Sequence, residues 1–223
     1  MNELLFFITL LICFSMTLLF YKLFKKEGLF VWIAIATIIA NIQTVKLVNL
    51  FGIESALGTI LYGSTFLATD ILNEQYGKAS AFKALKIGFI SMIVMTILMT
   101  LSLLYIPSSS DFANDSLKLI FTLNIRITVA SLAGFVCSQL VDTNLYNFLK
   151  KKTNKLWIRN NVSTIISQII DTCLFVTISY IGVVNLSTIF NIAISMYLFK
   201  FIIALMDTPF MYLSKKIDNN EEV

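Results

Sequence analysis

Long, nearly unbroken apolar runs alternate with short polar connections along the whole chain. Seven such runs cover residues 4–21, 29–50, 56–73, 84–106, 121–147, 163–184 and 188–211. A helix crosses a bilayer with about 20 mostly apolar residues, whereas a barrel strand shows about ten in alternation. These runs are too long and too continuous for barrel strands. The pattern therefore predicts an all-α, polytopic membrane bundle of six to seven spans, forming a single transmembrane domain over residues 1–223. The first run has only Glu3 ahead of it, no basic n-region, no small-residue cleavage site, and a basic cluster after it. It reads as a retained helix, not a signal peptide.

Composition agrees and narrows the chemistry. Of the 223 residues, 57% are hydrophobic and 13% charged, and the mean hydropathy is +0.83. A soluble domain carries about 25% charged residues. Histidine is absent, so a Ser-His-Asp triad, a His-ligated metal and an imidazole proton shuttle are all excluded. Cys13, Cys137 and Cys173 lie inside apolar runs without metal-ligand spacing. The sequence thus calls for no catalytic residues, no metal and no cofactor.

Charge sets the orientation. Thirteen of the 17 Lys and Arg residues fall in the connections 22–28, 74–86 and 148–162 and in the C-terminal tail. Lys118 alone marks the alternate side. The positive-inside bias places the N-terminus outside and the C-terminus in the cytoplasm. The formal charge of +4 is then a topology signal and requires no nucleic-acid partner.

The remaining charges lie inside the apolar runs: Lys46, Arg126 and Lys200 with Asp70, Asp142, Asp171 and Asp207, and Glu74 at an inner boundary. Each ionisable side chain at mid-membrane opposes insertion by about 2.5–3.5 kcal/mol, so such residues pair or line a cavity. Asp70, Asp142 and Asp207 fall in the inner halves of their runs, which predicts an acidic belt on the cytoplasmic half of a cavity. The uncharged polar residues are patterned with them. Ser138-Gln139-x-x-Asp142-Thr143 recurs as Ser167-Gln168-x-x-Asp171-Thr172, and Asp207-Thr208 repeats the Asp-Thr pair. Residues i and i+3 share a helix face, so each Gln and Asp point the same way. Two readings stay open: Ser131, Thr143, Ser163 and Thr172 can serve as interhelical glue, and each aspartate can sit in a buried ion pair that only holds the bundle together.

The most distinctive stretch is Phe66-Leu67-Ala68-Thr69-Asp70-Ile71-Leu72-Asn73-Glu74-Gln75-Tyr76-Gly77. It is followed in order by Arg126 through Gln139-x-x-Asp142, then Arg159-Asn160-x-x-Ser163-Thr164 through Gln168-x-x-Asp171-Thr172, then Tyr197-x-x-Lys200 through Asp207-Thr208-Pro209. Over residues 40–213 this series resembles the queuosine precursor transporter family, also called the vitamin uptake transporter family. The resemblance implies a small permease of the bacterial plasma membrane that imports 7-deazaguanine bases for tRNA modification. It points to Asp70, Asn73, Gln139, Asp142, Gln168 and Asp171 as the substrate cavity. Glu74, Arg126, Lys200 and Asp207 are then pairing or gating partners. The chemistry is compatible: a carboxylate accepts two donors of a guanine-like edge, and an amide donates to its carbonyl. The expected partners are a nucleobase-like solute and the lipid bilayer, with room for a homo-oligomer.

Three other functions compete, one of them an assembly or scaffold subunit with no transported substrate, which the density of intramembrane charge argues against. A substrate-binding subunit of an energy-coupling-factor importer is also small and helical, and docks through small-residue spacings such as Ala36-x-x-x-Ala40. An intramembrane aspartyl enzyme needs two carboxyls sharing a proton, and Asp142 with Asp171 is the pair to test.

Overall fold

The computed structural model describes residues 1–122, 125–182 and 185–219. Its first helix, α1 (Asn2–Thr44), takes in both of the first two expected spans. Run straight, 43 residues would reach about 65 Å, twice the hydrocarbon core of a bilayer. The chain instead reverses at Lys25, whose φ of 51° and ψ of −130° are non-helical. Phe20 and Trp32 consequently meet across the reversal, their rings tilted at 49° with centroids 5.6 Å apart. Asn2 Nδ2 reaches the Asn49 carbonyl at 3.0 Å, bringing the two ends of α1 to one level. Gly28 permits the tight return, because a Cβ there would run into the Phe20 carbonyl.

The second expected span does not continue to residue 50. Helix ends at Thr44, and an antiparallel hairpin follows, β1 (Leu47–Leu50) and β2 (Ile53–Ala56), paired Leu47↔Ala56 through Leu50↔Ile53. Phe51 and Gly52 make its two-residue turn with φ of 53° and 78°. Two successive positive φ angles match the twist of a tight hairpin. Summed hydropathy reads this apolar stretch as membrane helix because it ignores turn geometry.

Six further helices complete the bundle: α2 (Thr59–Tyr76), α3 (Lys78–Ser102), α4 (Asn114–Thr122), α5 (Ile125–Lys152), α6 (Leu156–Tyr180) and α7 (Leu186–Asn219). Several boundaries differ from the sequence pattern: α3 begins at Lys78 and ends at Ser102 where 84–106 is expected, and α7 runs on to Asn219, past the expected 211. The run 121–147 is not one described helix: residues 121–122 end α4, and Leu123 and Asn124 lie outside the described residues. The basic connection 148–162 is almost wholly helical, with only residues 153–155 between α5 and α6. Lysine and arginine end an apolar window but are good helix formers, so hydropathy places the helix end too early. The run 163–184 ends in helix at Tyr180; Val183 and Val184 lie outside the described residues.

Cross-helix contacts fix the directions. Phe6 meets Phe199 and Phe14 meets Phe210, so the first limb of α1 (2–24) runs parallel to α7. Thr65 meets Gln139 and Glu74 meets Tyr146, so α2 and α5 run parallel. Glu74 meets Lys215, which aligns α7 with them. Asp70 meets Thr164 and Glu74 meets Arg159, so α6 runs the other way. One end of the bundle thereby collects the reversal at Lys25, the α2–α3 and α5–α6 connections and the end of α7.

Polarity is inverted relative to a soluble protein. Leu4, Leu11, Ile90, Ile97, Leu98 and Leu205 are exposed, whereas Asp70, Asn73, Gln139, Asp142, Asn160 and Ser167 have no accessible surface. Water would strip such an exterior of its stability, while lipid would not. Helices α1, α3, α6 and α7 each hold a window long and apolar enough to cross a membrane. The main apolar core, including Phe14, Ile33, Ala36, Leu67 and Ile71, lies between α1 and α2 and leaves the polar side of α2 for α5, α6 and α7.

Candidate functional site

The polar faces of α2, α5, α6 and α7 converge on α6. On α2, Asp70 and Asn73 are three apart and Glu74 follows, so all three share one face. On α5, Gln139, Asp142, Thr143 and Tyr146 form the matching stripe. Gln139 Nε2 donates to Thr65 Oγ1 at 3.4 Å, and Asn73 Nδ2 donates to the Thr143 carbonyl at 3.4 Å. These contacts turn the Asp70 and Asp142 carboxyls toward α6, where they meet Thr164 and Ser167, three residues apart on that helix.

Helix α6 supplies hydroxyls to that pair. Ser167 Oγ donates to Asp142 Oδ1 at 3.1 Å, and Thr164 Oγ1 approaches Asp70 Oδ2 at 3.5 Å. Asn160, one turn away, donates from Nδ2 to Asp207 Oδ1 at 2.6 Å. Asp70, Asp142 and Asp207 are all fully buried, and among the described residues no Lys or Arg forms an ion pair with them. Several buried acceptors around them lack a hydrogen-bond partner: Asp70 Oδ1, Asn73 Oδ1, Gln139 Oε1, Asp142 Oδ2, Asn160 Oδ1 and Gln168 Oε1. Buried oxygens without donors are uncommon in native proteins and mark a place where a partner is missing.

The cations are engaged elsewhere. At the basic end of the bundle, Glu74 accepts from Arg159 at 2.9 Å, pairs with Lys215 at 2.9 Å and Lys150 at 3.5 Å, and accepts from the Tyr146 hydroxyl at 3.1 Å. Lys150 also donates to the Glu74 carbonyl at 2.7 Å. Toward the other end, Lys200 pairs with Asp171. Two small voids flank that pair. One, about 10 Å³, is lined by Tyr62, Thr164, Gln168, Lys200 and Asp207. The other, about 20 Å³, is lined by Thr44, Ala56, Tyr62, Asp171, Phe175 and Lys200. A water needs about 10–15 Å³, so neither void admits a ring-sized solute.

Most of the residues expected at the site share this interior, in two groups. Asp70, Asn73, Gln139 and Asp142 form one cluster. Gln168 lies beside it, on the void that Asp207 also lines. Asp171 stands apart in its pair with Lys200. Asp207, expected as a pairing or gating partner, accepts from Asn160. Arg126 is exposed and donates to the Ile178 and Ile181 carbonyls at 2.6 Å each, holding the end of α6. Lys46 is also exposed. Ser167, Thr164 and Asn160 contribute more than the sequence pattern assigned them; their spacing of three to four along α6 was the available signal. Arg159, Lys150 and Lys215, which the sequence groups with the basic connections and tail, neutralise Glu74.

An apolar exterior around fully buried, cation-free carboxyls defines a multi-pass membrane protein built to handle a polar solute. The family profile described as "Putative vitamin uptake transporter" matches residues 56–214, which contain α2, α5 and α6 and all of α7 up to Ser214. The chain belongs to that family, and it is a membrane transporter rather than an enzyme. It is 42% identical over 215 residues, 95% of its length and 94% of the relative's, to the "Probable queuosine precursor transporter" of Bacillus subtilis (strain 168). It is 28% identical over 133 residues to the protein of the same description from Haemophilus influenzae, covering 59% of this chain and 54% of that one. No solved structure matches the chain.

Proposed function

We propose that this protein imports queuosine precursors, 7-deazaguanine bases, across a bacterial plasma membrane. The observation that carries the reading is the cluster of Asp70, Asp142 and Asp207 with its unpartnered acceptors, buried inside the family-matched helices. A guanine-like edge presents a ring N–H and an exocyclic amine side by side, and a carboxylate accepts both. The name of the Bacillus subtilis relative supports the same substrate class.

The transport cycle is alternating access about this site. Seven helical passes, counting the two limbs of α1, place the N-terminus outside and the basic end in the cytoplasm, in line with the positive-inside bias. Glu74 with its three cations seals the cytoplasmic side. The Lys200–Asp171 pair, beneath Ala56 of the hairpin, seals the other. With both closed the site holds no ring, so one seal opens to admit the base and the other to release it. Ala36 and Ala40 are fully buried within the bundle, and an energy-coupling partner cannot dock on them. The burial of that spacing favours transport by the protein alone.

The test is uptake in a bacterial strain unable to make the precursor, scored by queuosine in its tRNA. Expression of the protein restores the modification from externally supplied base, and Asp142→Asn at equal membrane abundance does not. Modification at wild-type level with both Asp70→Asn and Asp142→Asn would dismiss this cavity.

A further inference from the structure

The polar interior is unbalanced in a way that specifies the charge of its ligand. Three carboxyls, Asp70, Asp142 and Asp207, are buried against one stretch of α6, where they meet Thr164, Ser167 and Asn160 respectively. Each nearby cation is committed: Lys200 to Asp171, and Arg159, Lys150 and Lys215 to Glu74. The amide nitrogens are committed too. Asn73 Nδ2 is held by the Thr143 carbonyl, Gln139 Nε2 by Thr65 and Asn160 Nδ2 by Asp207. What the carboxyls and amides leave free is acceptor oxygen: Asn73 Oδ1, Gln139 Oε1 and Asn160 Oδ1, beside Asp70 Oδ1 and Asp142 Oδ2, while the unpartnered Thr143 and Tyr62 hydroxyls can donate or accept. A ligand that completes this site brings donors and positive charge.

We propose that the site selects a base bearing a protonated primary amine over its uncharged counterparts, with the ammonium seated on the Asp70–Asp142 carboxyl pair. An ammonium offers three N–H donors and the missing charge. Its bonds to carboxylate are about twice as strong as neutral ones. A nitrile in the same place offers only an acceptor and brings no positive charge to the carboxyl pair. A site with buried polar groups rejects a ligand that leaves them unpaired. This inference rests on the 7-deazaguanine reading above and deepens it: of the two precursor forms, the aminomethyl base is the preferred cargo and the cyano base a poor one.

The experiment is competition against uptake of radiolabelled aminomethyl base in cells expressing the protein. The competitors are unlabelled aminomethyl base, its hydroxymethyl isostere and the cyano base. The aminomethyl form should compete at concentrations about tenfold or more below both neutral forms, in keeping with charge-assisted bonding. The hydroxymethyl form isolates charge from shape without any mutation, so the wild-type protein alone decides whether charge is selected. In Asp142→Asn or Asp70→Asn the advantage should fall toward unity for whichever forms are still carried. Equal competition by all three forms, or preference for the cyano form, overturns the inference while leaving the transporter reading intact. A full advantage retained in both variants overturns the assignment to this carboxyl pair. Failure of the wild-type protein to carry either precursor form removes the transporter reading itself and the inference with it.

Discussion

Arg159 donates from Nη2 to Glu74 Oε1 at 2.9 Å, and both side chains are more than nine-tenths buried. That bond joins α6 to α2 at the basic end of the bundle, where Lys150 from α5 and Lys215 from α7 close on the same carboxylate. One acidic residue thus ties together all four helices that build the site. Glu74→Gln removes the charge while keeping the shape, and leaves Arg159 buried without its counter-ion. Breaking one partner of a buried pair costs about 3–5 kcal/mol. The expected outcome is a marked fall in the melting temperature of the detergent-purified protein, with loss of precursor uptake. Glu74→Asp, which keeps the charge but shortens the reach, should lie between the two.

The Lys200–Asp171 pair makes a different prediction. Both partners are largely buried, so either single alanine substitution strands a charge in the bundle. Removing both strands none. The double variant Lys200→Ala with Asp171→Ala should be more stable than the sum of the single effects implies, by about 0.5–3 kcal/mol of coupling. Thermal unfolding of the three variants measures it, and strict additivity would show that the pair does not act as a unit. If the pair seals the outer side, the double variant also takes up substrate with a lowered barrier to entry.

Much of this architecture was legible in the sequence, and the losses have physical causes. Continuous apolar runs announce membrane helices because lipid demands apolar side chains over the whole crossing. The aspartates stand out for the same reason. Neither signal carries pairing information. Asp171 repeats the setting of Asp142 in sequence, with Ser, Gln and Thr at matching offsets. It meets Lys200 nevertheless, because α7 runs antiparallel along α6 and brings Lys200 opposite Asp171, whereas Asp142 on α5 meets Ser167. Asp207 shares a helix face with Lys200 seven residues earlier, yet Asn160 takes it, since Lys200 turns to Asp171. The helix reversal at Lys25 and the hairpin turn at Phe51-Gly52 depend on backbone angles, which an apolar window averages away. Arg159 was read for orientation because its position at the end of an apolar run suits a cytoplasmic marker equally well.

Close packing of α5 on α6 sets a third expectation. Gly134 on α5 faces Asp171, and a Cβ added there would lie 2.6 Å from Asp171 Oδ1. Alanine is the better helix former by about 1 kcal/mol, so on propensity alone Gly134→Ala should stabilise. The contact reverses the sign, because overpacking costs about 1–3 kcal/mol and Asp171 is held in place by Lys200. A lowered melting temperature for Gly134→Ala is the expected result. Combining it with Asp171→Ala, which removes the obstructing carboxylate, should restore part of the loss.

Orientation can be checked without transport. The contacts that align the first limb of α1, α2, α5 and α7 put Lys22, Lys26, Lys78, Lys150 and Lys215 at one end of the bundle and Asn2 at the other. Positive charge in short loops is retained in the cytoplasm. A reporter active only in the cytoplasm should therefore work when fused after residue 219 or inserted at residues 153–155, and fail when fused ahead of Asn2. A reporter active only outside should give the reverse pattern. Replacing Lys150, Lys151, Lys152 and Lys155 with neutral residues strips the densest basic cluster and should raise the inverted fraction. If the C-terminal cytoplasmic reporter is silent in an abundant, membrane-inserted protein, the orientation is opposite. Glu74 and its cations would then close the outer mouth instead of the inner one.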